Sequence, residues 1–254
     1  MRKIYAIIPA RYASSRFPGK PLALINGVPM IQWVYSTLSK IELLDNVYVA
    51  TDNRMIYDVV KSFNGNVLMT SEKHQCGSER IAECIDILNI SSNDIILNIQ
   101  GDEPLIKEEA ILDLLDCFKN DEVYMGTLKK LITDPKEISN PNVVKVVTDI
   151  YQYALMFSRN PLPCYRSYNS QLKYFKHIGI YGYSAEFLLK YSSLGQTPLE
   201  NAESLEQLRV LEHGYKIKVL ETQCQTIGVD SPDDIVKIEE ILSKINNVSK
   251  KGEI

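Results

Sequence analysis

Through the first half of the chain, short apolar runs alternate with apolar stripes at helical spacing. No other feature restricts the fold as much. Ile4-Tyr5-Ala6-Ile7-Ile8, Asn46-Val47-Tyr48-Val49-Ala50, Val67-Leu68-Met69 and Ile95-Ile96-Leu97-Asn98-Ile99 have the length and apolar character of buried strands. Between them, Met55, Ile56, Val59, Val60 and Phe63 recur on one helix face. Ile81, Ile85 and Leu88 do the same in a helix that can start at Ser78, and Ala110, Ile111, Leu114, Leu115 and Phe118 mark another. Strand and helix in alternation predict an α/β chain with a mostly parallel, doubly wound sheet covered on both faces. Ligands of such sheets bind beyond the carboxyl ends of the strands.

The pattern changes after about Gly126. Val143–Val147 and Tyr153–Phe157 read as strands joined by a short turn, and His177–Tyr183 as a third. This stretch predicts an antiparallel insertion, with a polar, Tyr-rich loop from Pro161 to Gln171. A helix with Leu205, Leu208 and Leu211 on one face follows, then a strand at Ile217–Leu220. The last helix opens with Ser231 as N-cap, Pro232 at its first position and Asp233 and Asp234 in its first turn. Its stripe is Ile235, Ile238, Ile241, Leu242 and Ile245, and the polar chain from Asn246 is expected to fray. The expected organisation is one α/β domain over 1–254, with 140–200 as an inserted antiparallel subdomain.

The first strand breaks at Pro9 into a loop holding Arg11, Arg16 and Lys20 beside Ser14 and Ser15, and no acid precedes Glu42. The chain as a whole is slightly acidic, with 28 basic and 32 acidic residues. Cations are therefore concentrated where a loop leaves a strand, as a triphosphate site requires. Arg offers a planar fork to phosphate oxygens and Lys a compact charge. The spacing is not that of a Walker loop. Taken alone, three cations in such a loop also suit a solvated surface. The net charge of −4 argues against broad nucleic-acid binding. No apolar run reaches the length of a membrane span. The five scattered cysteines form no C-x-x-C pair, which points away from zinc and toward a reducing cytoplasm.

Two aspartates suit a divalent metal. Asn98-Ile99-Gln100-Gly101-Asp102-Glu103-Pro104 places Asp102 at the carboxyl end of a strand, and Gly228-Val229-Asp230 places a second aspartate before the last helix. Two carboxylates completed by substrate phosphates are a common Mg²⁺ arrangement. Helix capping is the competing reading for both, and for Asp230 it weighs at least as much.

Nine segments together resemble one family. They are IIPARYASSRFPGKPL (7–22), ATDN (50–53), HQCGSERIAE (74–83), NIQGDEP (98–104), NPNVVKVV (140–147), FSRNPLP (157–163), HIGIYGY (177–183), LEQLRVLEHG (205–214) and GVDSPDDI (228–235). In this order, over nearly the whole chain, they resemble the 3-deoxy-manno-octulosonate (Kdo) cytidylyltransferases. The resemblance implies a Rossmann-like sheet of the nucleotide-diphospho-sugar transferase type. It implies a cytoplasmic enzyme, a homodimer built on the insertion, Mg²⁺ as cofactor, and CTP and Kdo as substrates. Neither nucleic acid nor membrane is implied as a partner. In the implied reaction the anomeric hydroxyl attacks the α-phosphate of CTP, giving CMP-Kdo and pyrophosphate for lipopolysaccharide or capsule synthesis. No covalent enzyme intermediate is involved, so positioning and charge neutralisation carry the chemistry.

By position, the resemblance implies that Arg11, Arg16 and Lys20 hold the triphosphate, with Ser14 and Ser15 nearby. Ala10, Gly77, Ser78 and Arg80 are implied at the base, and Asp102 and Asp230 at the metal. Arg16, Lys20, Asp102 and Asp230 form the implied catalytic set. Gln100, Arg159, His177, Tyr181, Glu206 and Gln207 are implied to line the sugar-acid pocket, with Arg159 on the carboxylate. Each has a plainer reading. His177 suits a half-buried hydrogen-bonded histidine, Tyr181 and Tyr183 share one strand face and suit a core or a dimer contact, and Gln207 suits solvent. Glu206 suits a surface pair with Arg209. Lys145 suits an edge charge that blocks aggregation.

The chain departs from the family at Cys76, where Ser is expected, at Asn201-Ala202, where relatives are bulkier, and at Cys164-Tyr165. The departure at Asn201-Ala202 leaves Kdo, its 8-amino analogue and other 2-keto-3-deoxy sugar acids as acceptors. A nucleotide-binding regulator on the same fold is the non-enzymatic alternative.

Overall fold

A computed structural model describes residues 2–13, 17–74, 76–120, 122–164, 172–224 and 226–249. Ser14, Ser15 and Arg16 lie outside the described residues, as do Tyr165–Gln171. The chain begins with β1 (Ile4–Ala10), β2 (Leu24–Ile25), β3 (Val28–Pro29), α1 (Met30–Leu38), β4 (Asn46–Thr51), α2 (Arg54–Ser62), β5 (Val67–Met69), α3 (Gly77–Leu88), β6 (Ile95–Asn98) and α4 (Glu108–Asp116). It continues with β7 (Met125–Leu131), α5 (Pro135–Ser139), β8 (Lys145–Thr148), β9 (Ala154–Ser158) and β10 (Phe175–Ser184). The remaining elements are α6 (Ala185–Ser192), α7 (Pro198–Glu203), α8 (Gln207–Glu212), β11 (Lys218–Glu221) and α9 (Pro232–Ser249). The chain has the expected α/β fold, with a mostly parallel sheet and an antiparallel part. Among the described residues no helix is long and apolar enough to cross a membrane.

The chain divides into two compact units. One comprises Lys3–Ile87, Asn98–Glu108 and Thr226–Ile254. Here β1, β4 and β5 run parallel, with Ile7 opposite Tyr48 and Ala50 opposite Leu68. Ile7, Ile8, Val49 and Ala50 are fully buried, as strands covered on both faces require. Asn53 caps α2, its side chain accepting from the Met55 and Ile56 amides. Ile235, Ile238 and Leu242 of α9 pack with Ile25, Met30 and Trp33, as the stripe predicts. That docking carries the segment before α9 to the end of the sheet, where the Val229 amide donates to the Asp102 carbonyl at 2.9 Å.

The other unit comprises Met1–Arg2, Leu88–Leu97 and Glu109–Gln225. Its strands lie in the order β11-β7-β10-β6, with β8 pairing β10 and β9. β7 is parallel to β11 and antiparallel to β10. β7 carries no legible signal, because Met125-Gly126-Thr127-Leu128-Lys129-Lys130-Leu131 mixes apolar and cationic residues without alternation. Its place comes from its two neighbours.

Three local expectations are corrected. The strand expected at Val143–Val147 begins at Lys145, because Asn140–Val143 forms a turn closed by a 3.1 Å bond from the Val143 amide to the Asn140 carbonyl. The helix expected through Leu205 is two helices, interrupted by Ser204 in the left-handed region (φ 51°). Lys145 is not an edge charge: it is fully buried, and its ammonium is held by the carbonyls of Asn140, Val143 and Arg159 at 2.5–2.9 Å.

Candidate active site

In the first unit, a cleft of about 350 Å³ opens beyond the carboxyl end of β1, lined by residues that include Ala10, Arg11, Lys20, Gly77, Gln100 and Asp102. The loop after β1 closes on itself: the Gly19 amide donates to the Tyr12 carbonyl at 2.9 Å, with Gly19 at φ 71°. This turn starts the short helical segment Lys20–Leu22 and aims Lys20 into the cleft. Gly101 is required by close approach, since a Cβ there would meet Ile31 and Ile8 at 3.3 Å.

The Lys20 ammonium lies 2.5 Å from Asp102 Oδ2 and 2.9 Å from the Val229 carbonyl. One cation therefore joins the segments carrying the two expected metal aspartates. The Asp102 side chain is 31 % exposed, open enough to meet a ligand. The Ser231 amide and hydroxyl and the Asp230 amide all donate to Asp234 Oδ2. Asp234 thus stabilises the α9 start. The next residue, Glu103, is buried, and burial with the Asp102 charge raises its carboxyl to about 8. Among the described residues no cluster of three or more metal-ligating side chains occurs, so a metal here needs substrate oxygens.

Of the expected base-side residues, Ala10 and Gly77 line the cleft, whereas Ser78 and Arg80 are buried and do not. The Arg80 guanidinium is held at 2.5 Å by Asp52 and by the Thr70 hydroxyl. Glu83 accepts from the Ser71 amide at 2.8 Å and pairs with His74 Nε2 at 2.6 Å. Burial pushes the Glu83 carboxyl up, but bonds from His74 and Ser71 outweigh it, and its net shift is downward. Asp52 and Glu83 thus brace the turn that carries Gly77. Both lie inside motifs visible in the sequence, ATDN and HQCGSERIAE, which offered no separate clue to this role.

The remaining sugar-side candidates, apart from Gln100, belong to the second unit. His177 sits edge-on to Phe157 (5.1 Å between centroids) and tilted against Tyr181 (5.3 Å), with Tyr181 stacked on Tyr183. Desolvation lowers the His177 imidazole to about 3, so it is neutral near pH 7. Burial, then Tyr183 and the Glu206 carboxylate, raise the Tyr181 phenol, which places Glu206 within electrostatic reach of Tyr181. Arg209 pairs with Glu200 at 2.5 and 2.8 Å and is buried, which corrects its expected place at the surface. Gln207 is buried, not solvated, and Glu206 is exposed.

Arg159 is clamped by α7. Its amide donates to Glu203 Oε2 at 2.9 Å and its Nε to the Glu203 carbonyl at 2.7 Å. Nη1 and Nη2 reach the Pro141 and Ser204 carbonyls at 3.0 and 3.3 Å. Three of its five N–H donors are used in this way, and two remain for an anion. Neither Glu203 nor Lys145 was legible as a support for Arg159.

A strand–loop–helix cleft with a cation bridging two aspartate segments defines a nucleotidyl-transfer class of α/β protein. The family described as Cytidylyltransferase matches residues 5–217, and the chain belongs to it. A 3-deoxy-manno-octulosonate cytidylyltransferase of Fusobacterium nucleatum is 50% identical over 247 residues, covering 97% of this chain and 99% of the relative. Another of the same description, from Geotalea daltonii, is 49% identical over 251 residues, covering 94% and 98%. A solved structure of CMP:2-keto-3-deoxy-manno-octonic acid synthetase complexed with CTP superposes with a TM-score of 0.89 at 38% identity, covering 95% of this chain and 99% of that one. A 4-diphosphocytidyl-2C-methyl-D-erythritol synthase shares the fold at 16% identity and a TM-score of 0.63.

Proposed function

We propose that the protein is a Mg²⁺-dependent enzyme that transfers CMP from CTP to the anomeric hydroxyl of Kdo, releasing pyrophosphate. The observation that carries this reading is the Lys20 ammonium set between Asp102 and the Val229 carbonyl in the cleft that Arg11 also lines. Lys20 and Arg11, with Arg16 from the same loop, neutralise the triphosphate. Asp102 and Asp230 hold the metal. The fit rests on hard oxygen donors and on Asp102 already holding a cation at contact distance. The metal, when bound, neutralises phosphate charge developing in transfer. Gly77 and Ala10 present backbone to the base, and Ser78 and Arg80 support that turn. Arg159 takes the sugar carboxylate with its two remaining donors, beside His177, Tyr181, Glu206 and Gln207.

The hairpin of β8 and β9 leaves Ile150 and Tyr151 at its turn and Leu155 on β9 exposed, at 88, 68 and 63 %. Apolar exposure of this size on a hairpin supports a homodimer formed through 140–200. Light scattering on the purified protein, with Ile150→Asp/Tyr151→Asp expected to yield monomer, tests it. Five free thiols suit a cytoplasmic location.

Pyrophosphate release tests the reaction, with CTP against UTP, ATP and GTP, and Kdo against its 8-amino analogue. Release with CTP and Kdo is expected. Release with CTP only for the amino sugar keeps the mechanism and moves the acceptor. No release from folded protein with any pair overturns the proposal.

A further inference from the structure

Thr127 on β7 is fully buried, and its Oγ1 has three close polar neighbours. It lies 2.7 Å from the Ile180 carbonyl oxygen, 3.1 Å from the Ile178 carbonyl oxygen and 3.0 Å from His177 Nε2. The crowding comes from an irregularity in β10. The register runs Ile178 opposite Leu128 and then Tyr181 opposite Thr127, so Gly179 and Ile180 are extra residues on that strand. The bulge turns two carbonyls onto one hydroxyl.

Proton counting then decides the imidazole. A threonine hydroxyl has one proton to donate, and a carbonyl oxygen can only accept. Were that proton given to His177, the hydroxyl oxygen would face two carbonyl oxygens at 2.7 and 3.1 Å with no hydrogen between them. In a buried site that repulsion is not screened by water. The proton therefore goes to the bulge, and the hydroxyl accepts from His177. Nε2 carries the ring proton, and in a neutral imidazole Nδ1 is then the bare acceptor. Among the described residues no hydrogen bond engages Nδ1. The Phe157 and Tyr181 rings fix the ring plane.

We infer that Thr127 is a positioning residue that locks His177 as the Nε2–H tautomer, so that Nδ1 accepts a hydrogen bond from a hydroxyl of the sugar acid. This rests on the reading that His177 recognises the sugar. It divides recognition by charge. Arg159 suits the carboxylate, while a bare ring nitrogen repels that anion and selects a hydroxyl donor.

The chain has only three histidines, so ring-nitrogen spectra of ¹⁵N-histidine-labelled protein are simple, and His177→Asn assigns the signal. The expected wild-type spectrum has His177 Nε2 protonated and Nδ1 bare. The Nδ1 resonance is expected to shift on saturation with Kdo, using the CTP-saturated spectrum as reference. Thr127→Ser keeps this tautomer. Thr127→Val loses it and raises the KM for Kdo about tenfold, the effect of one misdirected hydrogen bond, with the CTP KM unchanged. A bare Nε2 in the wild type overturns the tautomer assignment without any variant. A correct tautomer whose Nδ1 ignores saturating Kdo overturns the recognition role, and with it the placing of His177 at the sugar. Should Thr127→Val not fold, the wild-type and Thr127→Ser spectra still decide.

Discussion

The Lys20 ammonium rests on the Asp102 carboxylate at 2.5 Å while donating to the Val229 carbonyl at 2.9 Å. The cation proposed for the triphosphate and the anion proposed for the metal are thus held against each other, and on that proposal a metal triphosphate would part them by offering each a better partner. Asp102→Asn keeps the shape and removes the charge. Turnover is expected to fall at least about a hundredfold, as for loss of a group that neutralises transition-state charge. Circular dichroism and the melting temperature are expected to stay close to wild type. Near-normal pyrophosphate release would remove Asp102 from the metal site.

Lys145 and Glu203 hold Arg159 from two sides. Burial lowers the Lys145 ammonium, with Glu203 opposing and Arg159 adding to the fall. Replacing Lys145 by Met leaves three carbonyls without their donor. A stability loss of about 3 kcal/mol is expected, within the range for breaking a buried charged network. The KM for Kdo is expected to rise more than about tenfold while the CTP KM holds, because only the Arg159 turn loosens. Equal increases in both would show a general loss of packing instead.

Glu200 and Arg209 form a bidentate pair with side chains 7 and 5 % exposed. Glu200→Gln removes the carboxylate charge beside the buried guanidinium, and urea titration is expected to show a loss of roughly 3–5 kcal/mol. Glu200→Met/Arg209→Leu removes both charges and is expected to recover most of it. A double variant as unstable as the single one would mean that shape, not charge balance, is what the pair supplies.

His177 links stability to pH. Its pKa is about 3 in the fold, against 6.5 unperturbed. Below pH 6.5 the unfolded chain takes up a proton that the folded chain refuses. The histidine's contribution is therefore whole above pH 6.5 and is lost as pH falls toward 3. The expected slope is about 1.4 kcal/mol per pH unit inside that window. Chemical denaturation at stepped pH, repeated with His177→Asn, should show a shallower slope in the variant. Parallel slopes would remove His177 as the cause.

The parts of the candidate site that are local in the chain were legible as candidates. Arg11 and Lys20 follow an apolar strand, Asp102 ends another, and Asp230 precedes a helix marked by Pro232 and two acids. Burial on both strand faces and helix-start chemistry act over a few residues, so composition and spacing report them. The choice of partners was not legible. Nothing near Lys145 in sequence says that it is interior, because its three carbonyls come from both sides of a hairpin. Arg209 has Glu206 within one helical turn, yet its bidentate partner is Glu200, brought in across the kink at Ser204. Thr127 lies in a strand with no periodic signal, and its task arises from a bulge on a strand some fifty positions away. Sequence alone determined which segments carry charge to the ends of strands. Tertiary structure decided which donor meets which acceptor, because a buried polar group must be satisfied by whatever the register and the turns bring within about 3 Å.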